Sequence, residues 1–251
     1  MGTKKFIKDY RKYLEENFNP ERAVKEKQYL YSDLKHYGLP VWKVTAYAKG
    51  LKPQILKLPK PQLIQLVKAL WSQPSHEEKS LALDVLTLRA DNLTIKDVPL
   101  IEKLMRESRG WALLDGLIIP LMPFILVKDK TAYRYLKTWI KDKDFWVRRS
   151  ALLTQLLFFR KGVGGDKNLF FKLAESQFDE SWIDKVYADT LTRSRARFFI
   201  RKAIGWTLRE MSVKDPESVA EFLKKNKNKM SGLSFKEGSR KLPEKLSRQL
   251  G

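Results

Sequence analysis

The chain has no cysteine and only two histidines, His36 and His76, among its 251 residues. Disulfides, thiol nucleophiles and Cys-ligated zinc are thereby excluded, and a Ser-His-Asp triad or a histidine metal centre has almost nothing to be built from. No metal and no cofactor are expected. Acidic residues are also scarce: 29 Asp+Glu stand against 50 Lys+Arg, a formal net charge of +21. Such an excess destabilises a compact chain by self-repulsion unless a polyanion is its ordinary partner, which puts nucleic acid first among partners. Long apolar runs are missing as well. The greasiest stretch, Ala112 to Val127, is interrupted by Asp115, Pro120 and Pro123, so no membrane span is expected. The opening MGTKKFIKDY has no apolar signal core, and the expected location is the cytoplasm, beside the nucleoid in a prokaryote.

What is present supports a packed core, with 43% hydrophobic and 12% aromatic residues. Apolar residues recur every three or four positions and alternating strand patterns are absent, so the expected class is all-α. Ser75 with Glu78, Thr94 with Asp97, Ser181 with Asp184 and Ser234 with Glu237 have capping-box spacing, and Asp215-Pro216 reads as an N-cap with proline at the first helical position. Pro, Gly and Asp-Asn breaks, including one at Pro120 to Pro123, divide the chain into roughly a dozen helices of ~10 to 18 residues. Phe145 to Ala151 loosely repeats Phe198 to Ile204. This pattern fits a HEAT-like α-solenoid of antiparallel helix pairs with a concave basic groove, a compact bundle being the alternative. The offset of 53 residues exceeds the ~40 to 47 of one repeat, so periodicity does not choose between them. No linker divides residues 1–251, which read as one domain with a looser basic end from about Lys224.

The segment RGWALLDGLI, residues 109 to 118, carries the leading chemical candidates. At ~100° per residue Trp111 and Asp115 share one helix edge while Leu113, Leu114 and Leu117 face away into the core. A second helix has a core stripe of Ile200, Ala203, Ile204, Thr207, Leu208 and Met211. Trp206 falls on its other side with Phe199, Lys202 and Arg209, an aromatic platform flanked by cations. From Leu191 to Arg209 the charged residues are Arg193, Arg195, Arg197, Arg201, Lys202 and Arg209, with no acid among them. Arg148 and Arg149 sit near a helix N-terminus, where the macrodipole disfavours cations. They require an anion, either a carboxylate such as Asp144 or Asp115 or an external phosphate.

RGWALLDGL, FWVRRSALLTQL, FFIRKAIGWTLRE and, more loosely, KDPESVAEFLKKN with SGLSFKEGSRKL resemble the AlkD family of alkylpurine DNA glycosylases. These segments span about the C-terminal 150 residues, and HYGLPVWKVTAYAK is similar in outline. The resemblance implies a HEAT-like repeat fold, Asp115 as the catalytic carboxylate, Trp111 and Trp206 holding the damaged nucleotide's sugar, and Arg149 on the adjoining backbone. Arg148, Lys202, Arg193, Arg195, Arg197 and Arg201 complete the expected DNA-binding set. Two positions depart from the family pattern: Gly110 stands where a second tryptophan is common and Ala112 where another aspartate is. The stretch from Tyr187 to Arg197 is also longer and more basic.

The implied function is excision of cationic alkylpurines, 7-methylguanine and 3-methyladenine, from duplex DNA by a monomeric, monofunctional enzyme of base excision repair. A non-catalytic HEAT-like module for damaged or branched DNA or RNA is the first rival, and a solenoid for an acidic protein the second. Asp115 separates the first two, because a carboxylate repels phosphate and a pure binder has no use for it.

Overall fold

The computed structural model describes residues 2–108 and 110–250. Arg109, the first residue of the leading candidate segment, lies outside the described residues. Among the described residues the regular structure is helical with no strand, and one isolated bridge joins Lys35 to Ser75. The chain divides into two compact units, Met1–Phe124 and Ile125–Gly251, where the sequence reads as one domain.

The first unit contains α1 (Thr3–Glu16), α2 (Pro20–Leu30), α3 (Val41–Gly50), α4 (Lys52–Leu56), α5 (Lys60–Trp71), α6 (His76–Thr87), α7 (Val98–Glu107) and most of α8 (Trp111–Lys128). The second contains α9 (Tyr133–Trp139), α10 (Phe145–Leu153), α11 (Leu156–Lys161), α12 (Lys167–Glu175), α13 (Ser181–Val186), α14 (Thr190–Met211), α15 (Pro216–Asn226), α16 (Gly232–Ser239) and α17 (Glu244–Arg248). The helices are more numerous and more uneven than the break pattern suggests, from five residues in α4 to 22 in α14. The end from about Lys224 carries α16, packed along α14.

Two capping boxes form as spaced. Ser75 and Glu78 reciprocate at the start of α6, and Thr94 and Asp97 do so at a short 3-10 turn. Asp215 caps α15 through Ser218 N. The other two do not form. Asp179 accepts from Ser181 N upstream of α13, and Ser231 accepts from Ser234 N, leaving Ser234 inside α16. In each case a polar residue two or three positions earlier takes the amide first.

The expected break at Pro120 to Pro123 is absent, because α8 runs through both prolines. Each proline costs about 3 kcal/mol inside a helix. Against that, Leu113, Leu114, Leu117, Ile118, Leu121, Met122, Ile125 and Leu126 are all at most 1% exposed. Burial at about 1.5 to 3 kcal/mol per side chain outweighs two helix-breaking residues. Among the described residues α8 is also the one helix long and apolar enough to cross a membrane, and these eight side chains are buried within the chain itself.

Candidate nucleic-acid interface

In the first unit, Gly110 leads into α8 with φ +98°, and a Cβ there would lie 3.2 Å from Leu30 O. A tryptophan at 110 would be strained whatever the space around it, which accounts for that departure in backbone terms. Trp111 opens the helix. It is half-buried, and its indole meets Tyr29 edge-on at 5.7 Å and 90°. Asp115 stands one turn further along at 7% exposure, while Leu113, Leu114 and Leu117 are buried opposite, as the spacing predicts.

Trp111, Ala112, Tyr29, Leu30, Val41, Glu26 and His76 line an open cleft of about 750 Å³, with Arg22 and Lys25 also on its wall. Tyr29 is 69% exposed, and Tyr31 and Trp42 are similarly bare. Lys43 Nζ lies 5.9 Å from the Trp42 ring. Exposed aromatics with cations beside them can stack on bases while the charges hold phosphate. Sequence reasoning missed this aromatic face. Its one signal was the pairing of YLY at 29 to 31 with VWK at 41 to 43, which acquires meaning only when α2 and α3 are folded.

In the second unit, α14 is anchored by the stripe read from its spacing: Ile200, Ala203, Ile204, Thr207, Leu208 and Met211 are all buried. Trp206 lies off that stripe and is half-buried. Its neighbour Gly205 lets α16 approach closely, since a Cβ at 205 would fall 2.6 Å from Glu237 Cβ. Glu237 then reaches both Lys202 Nζ, at 2.8 Å, and the Arg209 guanidinium. Lys202 is held below the ordinary lysine value, first by burial and then by the positive charges of Arg209, Arg240 and Arg149. Lys202 and Arg209 thus share the Glu237 carboxylate, with the charges of Arg240 and Arg149 also felt at Lys202.

Arg149 is 4% exposed, donates to Phe199 O at 2.8 Å and lies 5.5 Å from the Phe199 ring. The loosely repeated segments meet here, because Trp146 on α10 tilts against Phe199 on α14 at 4.7 Å. Arg148 meets its requirement for acceptors through several groups. It donates to Asp142 O at 2.5 Å and Gln177 Oε1 at 3.1 Å, and its guanidinium lies 3.5 Å from the Trp182 ring. Carbonyl oxygens of the backbone and of Gln177 and an indole face share that role with the negative charge of Asp142.

The acid-free run on α14 also finds acids, on a neighbouring helix. Arg201 makes a fork to Glu180 at 2.7 and 2.6 Å. Arg197 reaches Asp184 at 2.6 Å and Glu180 at 3.4 Å, and Arg193 reaches Asp184 at 3.6 Å. Arg195 lies in the same run and is half-buried. Much of the positive charge read from this stretch is therefore used to bind α13 to α14.

A sequence model of the family described as DNA alkylation repair enzyme matches residues 10–242. A solved structure titled a predicted DNA alkylation repair enzyme from Enterococcus faecalis is similar in fold. Its TM-score is 0.73 at 24% identity, over 91% of this chain and 98% of that one. No curated protein is significantly similar in sequence.

Proposed function

The chain belongs to the DNA alkylation repair enzyme family, and from that premise we propose that it is a monofunctional glycosylase of the AlkD type. It would hydrolyse the N-glycosidic bond of cationic alkylpurines in duplex DNA. The coarser statement follows from family membership alone: the protein acts in repair of alkylation damage, and DNA is its partner.

The observation that carries the finer reading is Asp115, a carboxylate only 7% exposed, one turn from a tryptophan that lines an open aromatic cleft. Burying a carboxylate in a chain of net charge +21 is useful where positive charge develops next to it. Sugar hydrolases with two carboxylates use one as an acid to protonate the leaving oxygen. A purine alkylated at N3 or N7 already carries a positive charge and departs neutral, so no acid is required. One carboxylate that stabilises the oxocarbenium-like sugar, or orients water toward it, suffices. Trp111 would add an aromatic face to the cationic sugar; within the second unit, Lys202 and Arg149 would serve phosphate and Trp206 would offer an aromatic face.

Substrates then divide by charge. Without general acid help, typically worth 10²–10⁴-fold, neutral lesions stay in place. Duplexes carrying 7-methylguanine, 3-methyladenine, uracil or hypoxanthine are incubated with the protein and the free bases quantified. Release of the two methylated purines and little of the others is expected. Rapid uracil release with 7-methylguanine untouched overturns the mechanism, and tight duplex binding with no release of any base favours the non-catalytic module.

A further inference from the structure

The two histidines, 40 positions apart in sequence, stack on each other in the first unit at 4.9 Å and 12°. Around them lies a concentration of buried polar atoms without hydrogen-bond partners: both ring nitrogens of His36, Nδ1 of His76, and one Oε2 each from Glu26 and Glu77. A buried polar group without a partner costs about 1–3 kcal/mol, and a single ion at this point would satisfy three of the five. His36 is 6% exposed and Glu77 1%. Three elements present them, namely α2 (Glu26), the segment leading into α3 (His36) and the first turn of α6 (Glu77).

We propose that Glu26, His36 and Glu77 form a binding site for one zinc ion. Their ligand atoms all lie within 4.8 Å of one another. His36 Nδ1 and Glu26 Oε2 are 3.5 Å apart, a long ion-pair contact without hydrogen-bond geometry. That separation is close to the ~3.4 Å edge of a tetrahedron whose four ligands sit ~2.1 Å from a zinc ion. Glu77 is already oriented for the role. Its Oε1 is held by the backbone N–H groups of Tyr37 and Gly38 at 2.8 Å and of Leu39 at 3.3 Å, which leaves Oε2 directed elsewhere.

These contacts have the character of an outer shell, in which hydrogen bonds to one carboxylate oxygen fix the other as ligand. Glu26 is half-buried and lines both the cleft beside Trp111 and a smaller cavity of about 120 Å³ that it shares with Glu77 and His76. An ion has a path in, and Glu26 has room to close the set. One imidazole and two carboxylates suit zinc and leave the fourth position for water from the cavity. The inference rests on the first unit alone and is independent of the glycosylase reading.

The composition makes the test specific. With two histidines and no cysteine in 251 residues, tight zinc binding elsewhere on the chain has few ligands to use. The full chain, stripped with a chelator, is titrated calorimetrically with Zn²⁺. One equivalent is expected, weakened at least ~100-fold by Glu26→Gln and unchanged by Glu16→Gln at the exposed last residue of α1. Because the two imidazoles can be followed individually by NMR, Zn²⁺ should shift the His36 ring strongly in the unaltered chain. This reading also decides the matter if Glu26→Gln does not fold. Absence of stoichiometric binding, equal affinity in folded Glu26→Gln, or an unmoved His36 ring overturns the proposal.

Discussion

The two units differ in emphasis: both pair charges between helices, as Arg11 with Glu78 and Lys60 with Asp97 do in the first, but the second carries the larger set of described pairs. The first buries polar groups and leaves aromatics bare: Glu77 and the two histidines are enclosed, while Tyr29, Tyr31 and Trp42 face outward. In the second, helix is tied to helix by ion pairs, Glu180 and Asp184 holding three arginines of α14 and Glu210 holding Arg160 and Lys241. Burial raises Asp84 in the first unit, outweighing a hydrogen bond from Thr45 and the charge of Lys49. Burial would also raise Glu210 and Asp215 in the second, but Arg160 and Lys241 bring the former below the ordinary carboxylate range and Lys167 with Ser218 the latter. A net charge of +21 is thus no uniform coat. Much of it serves internal cohesion in the second unit, and part of it borders an aromatic surface in the first.

The largest break in that comparison should come from Asp115→Asn. If the first unit supplies the chemistry, base release falls by roughly 10²–10³-fold, the usual range for one preorganised electrostatic group. Duplex binding stays equal or tightens, since a negative charge is gone. Single-turnover base release together with a binding titration checks both. Simultaneous loss of fold and binding would make Asp115 structural.

Gly205→Ala addresses the second unit. The new methyl would sit 2.6 Å from Glu237 Cβ and 3.0 Å from Ser234 O, so α16 must move off α14, at about 1–3 kcal/mol. Urea unfolding should show that loss, and base release should fall with it if the Lys202 cluster binds DNA. An unchanged midpoint would mean that the contact between α14 and α16 is looser than its geometry.

Acid should separate the units more gently. Asp184, lowered by Arg197, joins Glu210 and Asp215 with folded-state values below the unfolded ones. Their stabilisation is complete above the ordinary carboxylate range near pH 4 and is lost as pH falls through the depressed values. Asp84, raised, is relieved by protonation. His76 in the first turn of α6 is lowered to about 4 by burial, so the stability of its neutral form is lost as pH falls below the ordinary histidine value near 6.5, before the carboxylates titrate. Hydrogen exchange followed from about pH 7 to 3 should therefore show α6 amides losing protection before those of α14, and simultaneous loss would cancel the distinction.

The smallest effect belongs to Lys202→Met. Glu237 keeps Arg209 as partner, and a lysine crowded by three cations is relieved. Stability should change by no more than about 0.5 kcal/mol in thermal unfolding, while duplex affinity drops several-fold. A large loss of stability with no loss of affinity would move Lys202 from phosphate binding to packing.

How much of this was legible depended on whether the deciding contact was near in sequence. The α14 stripe and the placing of Asp115 opposite three buried leucines followed from helical spacing, a local property. Pro120 and Pro123 misled because the burial that overrides them comes from partners elsewhere in the fold. The carboxylates that neutralise Arg193, Arg197 and Arg201 lie on a separate helix 9 to 21 positions upstream, so an acid-free run looked unpaired. The unformed box at Ser234 lost to Ser231, a competition that counting residues three apart does not register. The histidine stack and the cleft beside Tyr29 had no local signature at all.

The pairing of α13 with α14 bears on how binding should respond to salt. A cation that neutralises a phosphate releases a condensed counterion from DNA, giving a log–log slope of about −0.9 per contact. Arg197 or Arg201 reaches a phosphate only by letting go of Asp184 or Glu180. The abandoned carboxylate then takes up a cation from solution, which offsets the one released. Duplex affinity should therefore weaken with added salt less steeply than the number of arginines on α14 would give, and this moderation should disappear in Glu180→Gln.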